Sequence, residues 1–378
     1  LAGIYDENVV IDKRVAITIH GCGKRTRVRS IVNANATPEP AFLITNSTEI
    51  TLEHMAIESG PRSAVQVGNS RHVTVQHCLL QMREIRTIWQ AIFSRGDDVL
   101  IDSNTIEILG EKNLPPTPTV PPPANTIGAP SGEHTPPDPV SVGSITRGGV
   151  QIGGGSDRVR VSNNIIRGGT WNGITLGNVN IIGSQDPADQ PDTPGSNDPC
   201  TPCKDVDLGD EDPGNPDIRI ESAGDLFDIE IVGNKITHMG INGIGVVRFF
   251  NVSKTPELVG VHGLHITDNL ISRCMRRNVA RVSGVMQFLT GYGGISLAKV
   301  TDLRILRNEI VNNGVSHIFP ICGVFAIFVQ GLQLDDNRII NNGPRTEASV
   351  SNAQAGNRGG VFIWIILRLI EISPPNII

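Results

Sequence analysis

The sequence is poor in aromatic residues and in basic charge, and it lacks any sustained amphipathic helical pattern. Only 4% of its 378 residues are Phe, Trp or Tyr, whereas 41 are Gly. A globular core of this size usually uses more large aromatic side chains, so the composition favours short strands joined by tight turns. The net charge of −6 provides no basic footprint, and nucleic acid is therefore not an expected partner.

Long hydrophobic runs are also missing. The nearest stretch runs from Val361 to Ile370, contains Arg368 and is too short to cross a bilayer, so no membrane span is predicted. The chain begins at Leu1 instead of an initiator Met. We therefore expect a trimmed piece of a longer protein, in which a missing targeting segment is uninformative.

The cysteines do not form an obvious disulfide or metal framework. Four of them are scattered among apolar or turn positions and are predicted to be small buried side chains: Cys22, Cys78, Cys274 and Cys322. Cys200 and Cys203 form a CxxC in a loop rich in Pro and Asp. Structural zinc usually needs four ligands, and no second pair lies nearby, so no metal site is predicted. Pairing between Cys200 and Cys203 is left open.

Internal repetition is the strongest signal in the sequence. An eight-residue phrase recurs, with apolar residues at its first and third positions, Asn at its sixth and Ile at its eighth, as in VRVSNNII from Val159. The repeated asparagines are Asn104, Asn164, Asn234, Asn269, Asn308 and Asn337. A second, four-residue phrase follows, which begins with a small residue and has apolar residues at its second and fourth positions, as in GITL from Gly173.

This repetition predicts a parallel β solenoid. Alternating apolar residues form strands with one inward face, and coils of such short strands bury that face only by stacking about 4.8 Å apart. The six asparagines would then form one ladder at a bend, where Asn tolerates left-handed backbone. Leucine-rich repeats and doubly wound folds both need helices that the sequence does not show. We expect a single all-β domain, 1–378, with about nine coils.

These repeats resemble the right-handed parallel β-helix superfamily, which includes pectate lyases, polygalacturonases, alginate epimerases and phage tailspikes. The resemblance covers nearly the whole chain apart from two insertions and is specific for fold, not activity. The polygalacturonase motifs do not occur as a set, although Asp97-Asp98 and Val261-His262-Gly263 resemble two elements of it. The DPHD element of alginate epimerases is absent. No catalytic residue therefore carries over from these families.

Two long insertions interrupt the repeats. Residues 111–147 are rich in Pro, and residues 177–224 hold the CxxC and a dense acidic tract. The tract could bind Ca²⁺, although a solvated acidic loop is the simpler interpretation, and no cofactor is otherwise expected. The shorter insertion 247–263 leaves the same corner as 177–224, so both are predicted to wall the outer face of the first strands.

The middle residue of each first strand is predicted to point outward. Down the stack this row reads Thr18, Thr51, Thr74, Leu100, Arg160, Glu230, His265, Arg304 and Gln333. Arg160, Glu230, His265 and Arg304 are candidate catalytic residues, because a polysaccharide lyase needs a base beside a carboxylate and a cation for the enolate-like transition state. The alternative is an ordinary ladder of cross-strand charge pairs.

Further candidates lie beside this row. Thr175, on a second strand, and Gln333 are the predicted substrate-binding residues. The outward row of the second strands is otherwise small, neutral or apolar and is predicted to be a packing or contact surface. Asp97-Asp98 and Asp335-Asp336 are adjacent in turns, where capping explains them better than an acid and nucleophile pair.

Two functions therefore stay open. One is a polysaccharide lyase or glycoside hydrolase that acts along the outer face of the solenoid, as the superfamily resemblance implies. The other is a non-catalytic adhesive or scaffolding module of a cell surface or a phage tail. Both imply an extracellular or cell-surface location, and neither fixes the oligomeric state.

Overall fold

The computed structural model describes ten ranges of the chain, and each regular element in them is a β-strand. The described ranges are 1–31, 39–60, 62–83, 89–108, 148–182, 219–246, 259–276, 292–314, 321–343 and 359–367. The prediction of an all-β chain is therefore confirmed for these residues. None of them forms a helix long and apolar enough to span a lipid bilayer.

The described residues form strands of 3 to 15 residues, which are separated by bends of about two residues or by longer loops. They are β1 (Gly3–Asp6), β2 (Val9–Asp12), β3 (Val15–Arg29), β4 (Phe42–Thr45), β5 (Thr48–Ser59), β6 (Val65–Gln76), β7 (Leu79–Met82), β8 (Gln90–Asp102), β9 (Thr105–Ile108), β10 (Gly148–Ile152), β11 (Asp157–Ser162), β12 (Ile165–Gly168), β13 (Ile174–Leu176), β14 (Val179–Ile182), β15 (Arg219–Ser222), β16 (Leu226–Val232), β17 (Lys235–Thr237), β18 (Ile244–Val246), β19 (Gly260–Thr267), β20 (Leu270–Ser272), β21 (Tyr292–Leu306), β22 (Glu309–Val311), β23 (Ile321–Asp335), β24 (Arg338–Ile340) and β25 (Gly359–Leu367). Many bends use a left-handed residue, such as Asn163 with φ of 55°.

Strands pair in parallel with their equivalents one coil away. Strand β16, for example, lies between β11 and β19, and β21 lies between β19 and β23. This register places the apolar residues that open and close the eight-residue phrase in two inner columns. The first contains Val99, Val159, Ile229, Leu264, Leu303 and Leu332. The second contains Ile106, Ile166, Ile236, Ile271, Ile310 and Ile339.

Stacking of the columns creates one continuous apolar core. The members of both columns from Val99 through Ile310 are at most 1% exposed, whereas Leu332 and Ile339 at the far end are partly buried. Burial of these side chains supplies the main favourable free energy of folding. A short coil cannot bury its face alone, so the core forms only when neighbouring coils are in register.

The six asparagines lie in one file along this core. Each side-chain oxygen accepts hydrogen bonds from the previous asparagine, as when the amide N–H and Nδ2 of Asn164 both donate to Asn234 Oδ1 at 3.0 Å. The Nδ2 of Asn234 also donates to the Val161 carbonyl oxygen at 2.8 Å. Where the slot holds Cys78, its backbone N–H still donates to Asn104 Oδ1 at 2.9 Å. The ladder therefore satisfies the buried polar groups of the bend.

Close packing against isoleucine explains why the second phrase begins with a small residue. A Cβ atom built on Gly243 would lie 2.2 Å from Ile271 Cγ2, and one on Gly294 would lie 2.2 Å from Ile310 Cγ2. Gly173 stands in the same relation to Ile236, at 2.3 Å. The column of isoleucines therefore occupies the space that larger side chains would need.

Burial of the cysteines matches the sequence prediction at three of four positions. Cys78, Cys274 and Cys322 are buried, and this burial raises the pKa of Cys78 to about 11 and those of the other two to about 12. The prediction is wrong for Cys22, which is exposed. Cys22 follows a register shift between β3 and β5, where the strand leaves its regular stacking. Cys200 and Cys203 lie outside the described residues.

Most of the inserted sequence also lies outside the described residues. This applies to 111–147, to the acidic tract and to 247–258. The stem of the 177–224 insertion is described: β14 and β15 pair antiparallel, with Val179 opposite Ser222. That hairpin departs from the parallel pairing of the solenoid and marks where the insertion leaves and re-enters the coil.

Candidate functional site

The strand register places the predicted charged residues on consecutive rungs. Arg160 pairs with Glu230, Glu230 with His265, and His265 with Arg304. Gln333 occupies the next rung after Arg304. We call Arg160, Glu230, His265 and Arg304 the charged row. Adjacent rungs lie about 4.8 Å apart, so the row extends about 14 Å along the solenoid axis.

The ends of the charged row carry cations. The Arg160 guanidinium forms an ion pair with Glu230, and their side chains are 49% and 42% exposed. At the other end, Arg304 Nε lies 3.6 Å from an Asp302 carboxylate oxygen. Both arginines are therefore accessible to solvent and to a large anionic ligand. Ion pairs at such exposure contribute little to stability and are easily exchanged for other partners.

His265 differs from its neighbours because no hydrogen bond or ion pair joins it to a described residue. Its Nε2 atom is buried without a partner among those residues. A buried polar atom of this kind costs free energy unless it gains a partner, and such atoms are concentrated at functional positions. An imidazole can serve as a general acid or base, and His265 lies between a carboxylate and a guanidinium on the neighbouring rungs.

A second group on the same strands was missed by the sequence analysis. His262 Nε2 lies 3.1 Å from Asp225 Oδ2, and His262 Nδ1 lies 2.8 Å from Thr301 Oγ1. The Gly260 amide also donates to Asp225 Oδ1 at 2.8 Å. Burial opposes ionisation of Asp225, but the hydrogen bonds from His262 and Gly260 outweigh it and lower the pKa of this carboxyl. Asp225 therefore holds the imidazole as an ionised partner.

This arrangement joins a hydroxyl, an imidazole and a carboxylate in one chain. If His262 Nε2–H donates to Asp225, then Nδ1 accepts the hydrogen bond from Thr301, which polarises that hydroxyl. The VHG motif was a weak sequence signal for His262, but no motif pointed to Asp225 or Thr301. Asp225 follows the long 177–224 insertion and Thr301 follows another, so no fixed spacing connects them with His262.

An exposed aromatic ring lies beside His262 of the second group. Phe227 pairs in register with His262, the two rings stack with centroids 5.1 Å apart, and Phe227 is 45% exposed. Aromatic faces provide flat apolar contact area beside polar groups. Phe227 and the Asp225–His262–Thr301 group lie on one side of a column of left-handed residues formed by Asp228, Gly263 and Asp302, and the charged row lies on the other side. We call the two sets together the polar face.

Thr175 does not lie on the polar face. It pairs with Gln151 and Gly245 in the outward row of the second strands. Its hydroxyl is fully buried and has no hydrogen-bond partner among the described residues. Other members of this row are equally buried: Gln66, Phe93, Gln151, Ser296 and Phe325. This burial agrees with the predicted packing surface. Thr175 is therefore buried, whereas Gln333, the other predicted substrate-binding residue, is exposed.

The adjacent acidic residues take part in ion pairs across rungs. Asp98 accepts from Arg158 Nε at 2.6 Å, and this hydrogen bond lowers the pKa of Asp98. Asp97 lies 3.6 Å from Arg71 Nε. The turn-capping interpretation of this pair is therefore replaced by cross-rung ion pairing. In the second pair, Asp335 accepts a hydrogen bond from Gln333 Nε2 at 2.9 Å.

Comparison with known proteins returns structures alone. No family model and no curated protein matches the chain. The A-module of a mannuronan C-5 epimerase from Azotobacter vinelandii has a TM-score of 0.40 and 10% identity, and the alignment covers 98% of this chain and 89% of that one. For the catalytic domain of a GH87 α-1,3-glucanase in complex with nigerose, the values are 0.35 and 10%, covering 96% and 62%.

A glycoside hydrolase is also similar, with a TM-score of 0.27, 12% identity, and coverage of 86% of this chain and 41% of that one. Scores this low carry no conclusion about activity. The class of the protein follows from its own strand pairing, in which parallel strands one coil apart share a register along the chain. In the residues that the structure describes, the chain is a solenoid of parallel β-strands, as its repeats predicted.

Proposed function

We propose that this β-helix binds an acidic polysaccharide along the polar face and cleaves it by a lyase-type elimination. The observation that carries the proposal is the order of groups on consecutive rungs, in which Glu230 and His265 lie between two exposed arginines. A chain of acidic sugars laid along the axis would meet a cation at each end of the row. Phe227 would add an apolar contact for a sugar ring.

The chemistry assigned to each residue follows from its surroundings. Elimination takes a proton from the carbon next to a carboxylate, forms a double bond as the bond from the adjacent carbon to the glycosidic oxygen breaks, and needs a proton for that leaving oxygen. His265, which has no described partner, is the proposed base, and its protonated form or water would supply the proton to the leaving oxygen. Arg304, on the next rung, would stabilise the negative charge that develops on the substrate carboxylate. Arg160 would bind a neighbouring sugar carboxylate, while Glu230 orients Arg160 through their ion pair. Gln333 is proposed to bind substrate beyond Arg304.

The test is an assay against a panel of acidic and neutral polysaccharides, following absorbance from unsaturated products and the appearance of new reducing ends. We expect unsaturated products from an acidic polymer. His265→Ala should reduce the rate at least a hundredfold, because general-base contributions are about 10²–10⁴-fold. His72→Ala is the matched control, since His72 lies on β6 outside the polar face. Equal rates for the two variants would remove His265 from the mechanism.

Glu230→Gln gives a second comparison. It should weaken substrate binding by releasing Arg160, whereas Glu107→Gln should not, although Glu107 forms a similar ion pair with Arg167 at 3.0 Å. New reducing ends without unsaturated products would instead indicate hydrolysis. That outcome would contradict the elimination step while retaining the polysaccharide as substrate.

A non-catalytic surface module is the second candidate, and the ion-pair ladders favour it. Arg307 pairs with Asp268 and Arg338 with Glu309 across rungs in the same manner as Arg160 with Glu230. The charged row could therefore serve register and solubility alone. Tight binding to a polysaccharide or to a cell surface, without turnover of any polymer in the panel, would support this candidate.

Several wider features belong to the same proposal. We infer about nine coils in one domain spanning 1–378, with the 111–147 and 177–224 insertions as loops beside the solenoid. An extracellular or cell-surface location suits a polysaccharide ligand. The acidic tract of the second insertion is a proposed Ca²⁺ ligand, on the chemistry of its carboxylates.

A further inference from the structure

Three metal-ligating side chains meet on the first coils, away from the polar face. His20 lies on β3, and Glu53 and His54 lie on β5 one coil further along, with His20 and Glu53 directly paired in the strand register. One ligand atom from each of the three lies within 4.8 Å of those of the other two. The set combines two imidazoles with one carboxylate.

The backbone brings these residues together through a close approach at Gly21. A Cβ atom on Gly21 would lie 2.4 Å from the His54 carbonyl oxygen and 2.8 Å from Met55 Cβ. Only glycine fits this position, so β3 comes nearer to β5 than a side chain would permit. His54 itself has φ of 55°, which turns the chain at the bend immediately after Glu53.

Neighbouring groups already hold the three side chains in place. Glu53 Oε1 lies 3.0 Å from His20 Nδ1, while its other oxygen accepts a hydrogen bond from Gln76 Nε2 at 2.6 Å. The His54 ring stacks on His77, with centroids 4.9 Å apart and planes 15° apart. A hydrogen bond to the second carboxylate oxygen is the kind of outer contact that orients metal ligands.

We propose that His20, Glu53 and His54 bind a divalent transition metal ion of the zinc type at the surface of the first coils. Imidazole nitrogen and carboxylate oxygen are ordinary zinc ligands, and three protein ligands leave a fourth position for water. Metal bonds of about 2.0–2.2 Å place tetrahedral ligand atoms about 3.3 Å apart, close to the present separation of His20 Nδ1 and Glu53 Oε1. The His20 side chain is 60% exposed, so rotation of its ring could bring its nitrogen to bonding distance of the same metal ion.

The metal site is independent of the proposed polysaccharide activity. His20 and Glu53 belong to a row that continues through Gln76 and Asp102. The charged row belongs to a different row, which runs through Thr51 and Leu100 before it reaches Arg160. The ion would thus bind beside the first coils, several rungs from His265. Loss of polysaccharide activity would not affect metal binding, and the two proposals can fail separately.

The experiment titrates tag-free, metal-stripped protein with Zn²⁺ by calorimetry and with Co²⁺ by visible absorption. We expect one zinc ion per chain and a Co²⁺ spectrum typical of four or five coordination. His54→Asn and Glu53→Gln should each lower the affinity at least tenfold, and Gln76→Ala should lower it about tenfold, because loss of outer-contact residues typically costs 10–100-fold.

The matched control is His72→Asn. His72 also stands at a left-handed bend, with φ of 51°, so asparagine fits both positions equally well. This variant should bind zinc with unchanged affinity and stoichiometry, and circular dichroism should show that all variants are folded. Failure of the unaltered protein to bind Zn²⁺, or equal affinity in folded His54→Asn and His72→Asn, would overturn the proposal.

Discussion

At the scale of single residues, the asparagine slot explains why one side chain can control a whole bend. The amide of Asn234 accepts from Asn164 and donates to the Val161 carbonyl and to Asn269, so it connects three coils. The sequence predicted this column because Asn recurs at a fixed place in an apolar phrase. Cys78 shows that the slot tolerates another residue when the next coil still supplies an asparagine oxygen.

Asn234→Ala should destabilise the protein by about 2–4 kcal/mol, because it leaves the buried Asn164 amide and Val161 carbonyl without partners, at about 1–3 kcal/mol each. Asn337→Ala should cost less, since Asn337 is only partly buried at the end of the ladder. Urea unfolding followed by circular dichroism measures both. Equal losses would show that burial of the ladder does not determine its strength.

The pH dependence of stability can be traced to the ion pair between Asp268 and Arg307. Bidentate hydrogen bonds from Arg307, at 2.8 and 2.9 Å, lower the pKa of Asp268. Although the pair is exposed, its bidentate geometry gives it a small stabilising contribution above the unfolded carboxyl pKa of about 3.9, and this contribution is lost as the pH falls through the lowered value.

Asp268→Asn should therefore reduce the urea midpoint at pH 7 but match the unaltered protein near pH 2, or in the most acidic buffer in which both remain folded. Asp336→Asn is the control. Asp336 stands at the same kind of bend, with φ of 56°, and attracts Arg307 at longer range without a described ion pair, so Asp336→Asn should have the smaller effect. An equal effect of Asp268→Asn at both pH values would contradict the electrostatic explanation.

Other residue-scale features could not be predicted. Asp225, His262 and Thr301 come together because three strands stack, and the insertions between them remove any regular spacing in sequence. The two imidazoles beside Glu53 escaped notice for a related reason, since the close approach at Gly21 is a local departure from the repeat. Cys22 was wrongly predicted to be buried at this same irregularity.

At the scale of strands, the column of small residues packs against the column of isoleucines, and this contact limits the size of side chain that each column can hold. The small residue that opens the second phrase packs against the isoleucine that closes the first phrase of a neighbouring coil. Sequence alone showed that this position is small, but it could not show what limits it. The Cγ2 methyl of the isoleucine sets this limit, because it occupies the space that a Cβ atom on the glycine would need.

Gly243→Ala should destabilise the protein by about 1–3 kcal/mol, because the added methyl would overlap Ile271 Cγ2 in a packed core. Gly360→Ala is the matched control at the end of the same column, where a Cβ would lie 3.7 Å from Ile339 Cγ2, an ordinary contact. Thermal unfolding of both variants provides the measurement. A loss for Gly360→Ala as large as that for Gly243→Ala would contradict this packing explanation.

At the scale of the whole molecule, periodicity determined the architecture more securely than the function. Repeats of alternating apolar residues predict strands, stacking and register together, because no other arrangement buries those faces. The outward residues of the charged row were placed by the same register. Burial of Thr175, in contrast, depends on contacts outside the repeat and could not be read from the alternation of its own strand.

The shared register from Val99 to Leu332 has a consequence for how such a chain can change in length. Each coil pairs with the next through residues of the same columns, so one coil can take the place of its neighbour without changing the inner contacts. Excision of residues 264–302 would bring Leu303 to the place of Leu264, with Asn308 entering the gap left by Asn269. Growth or shortening by complete layers should thus preserve the interior. A change of one or two residues within a strand would turn its inward side chains outward, whereas the loops between strands already accept insertions without loss of register.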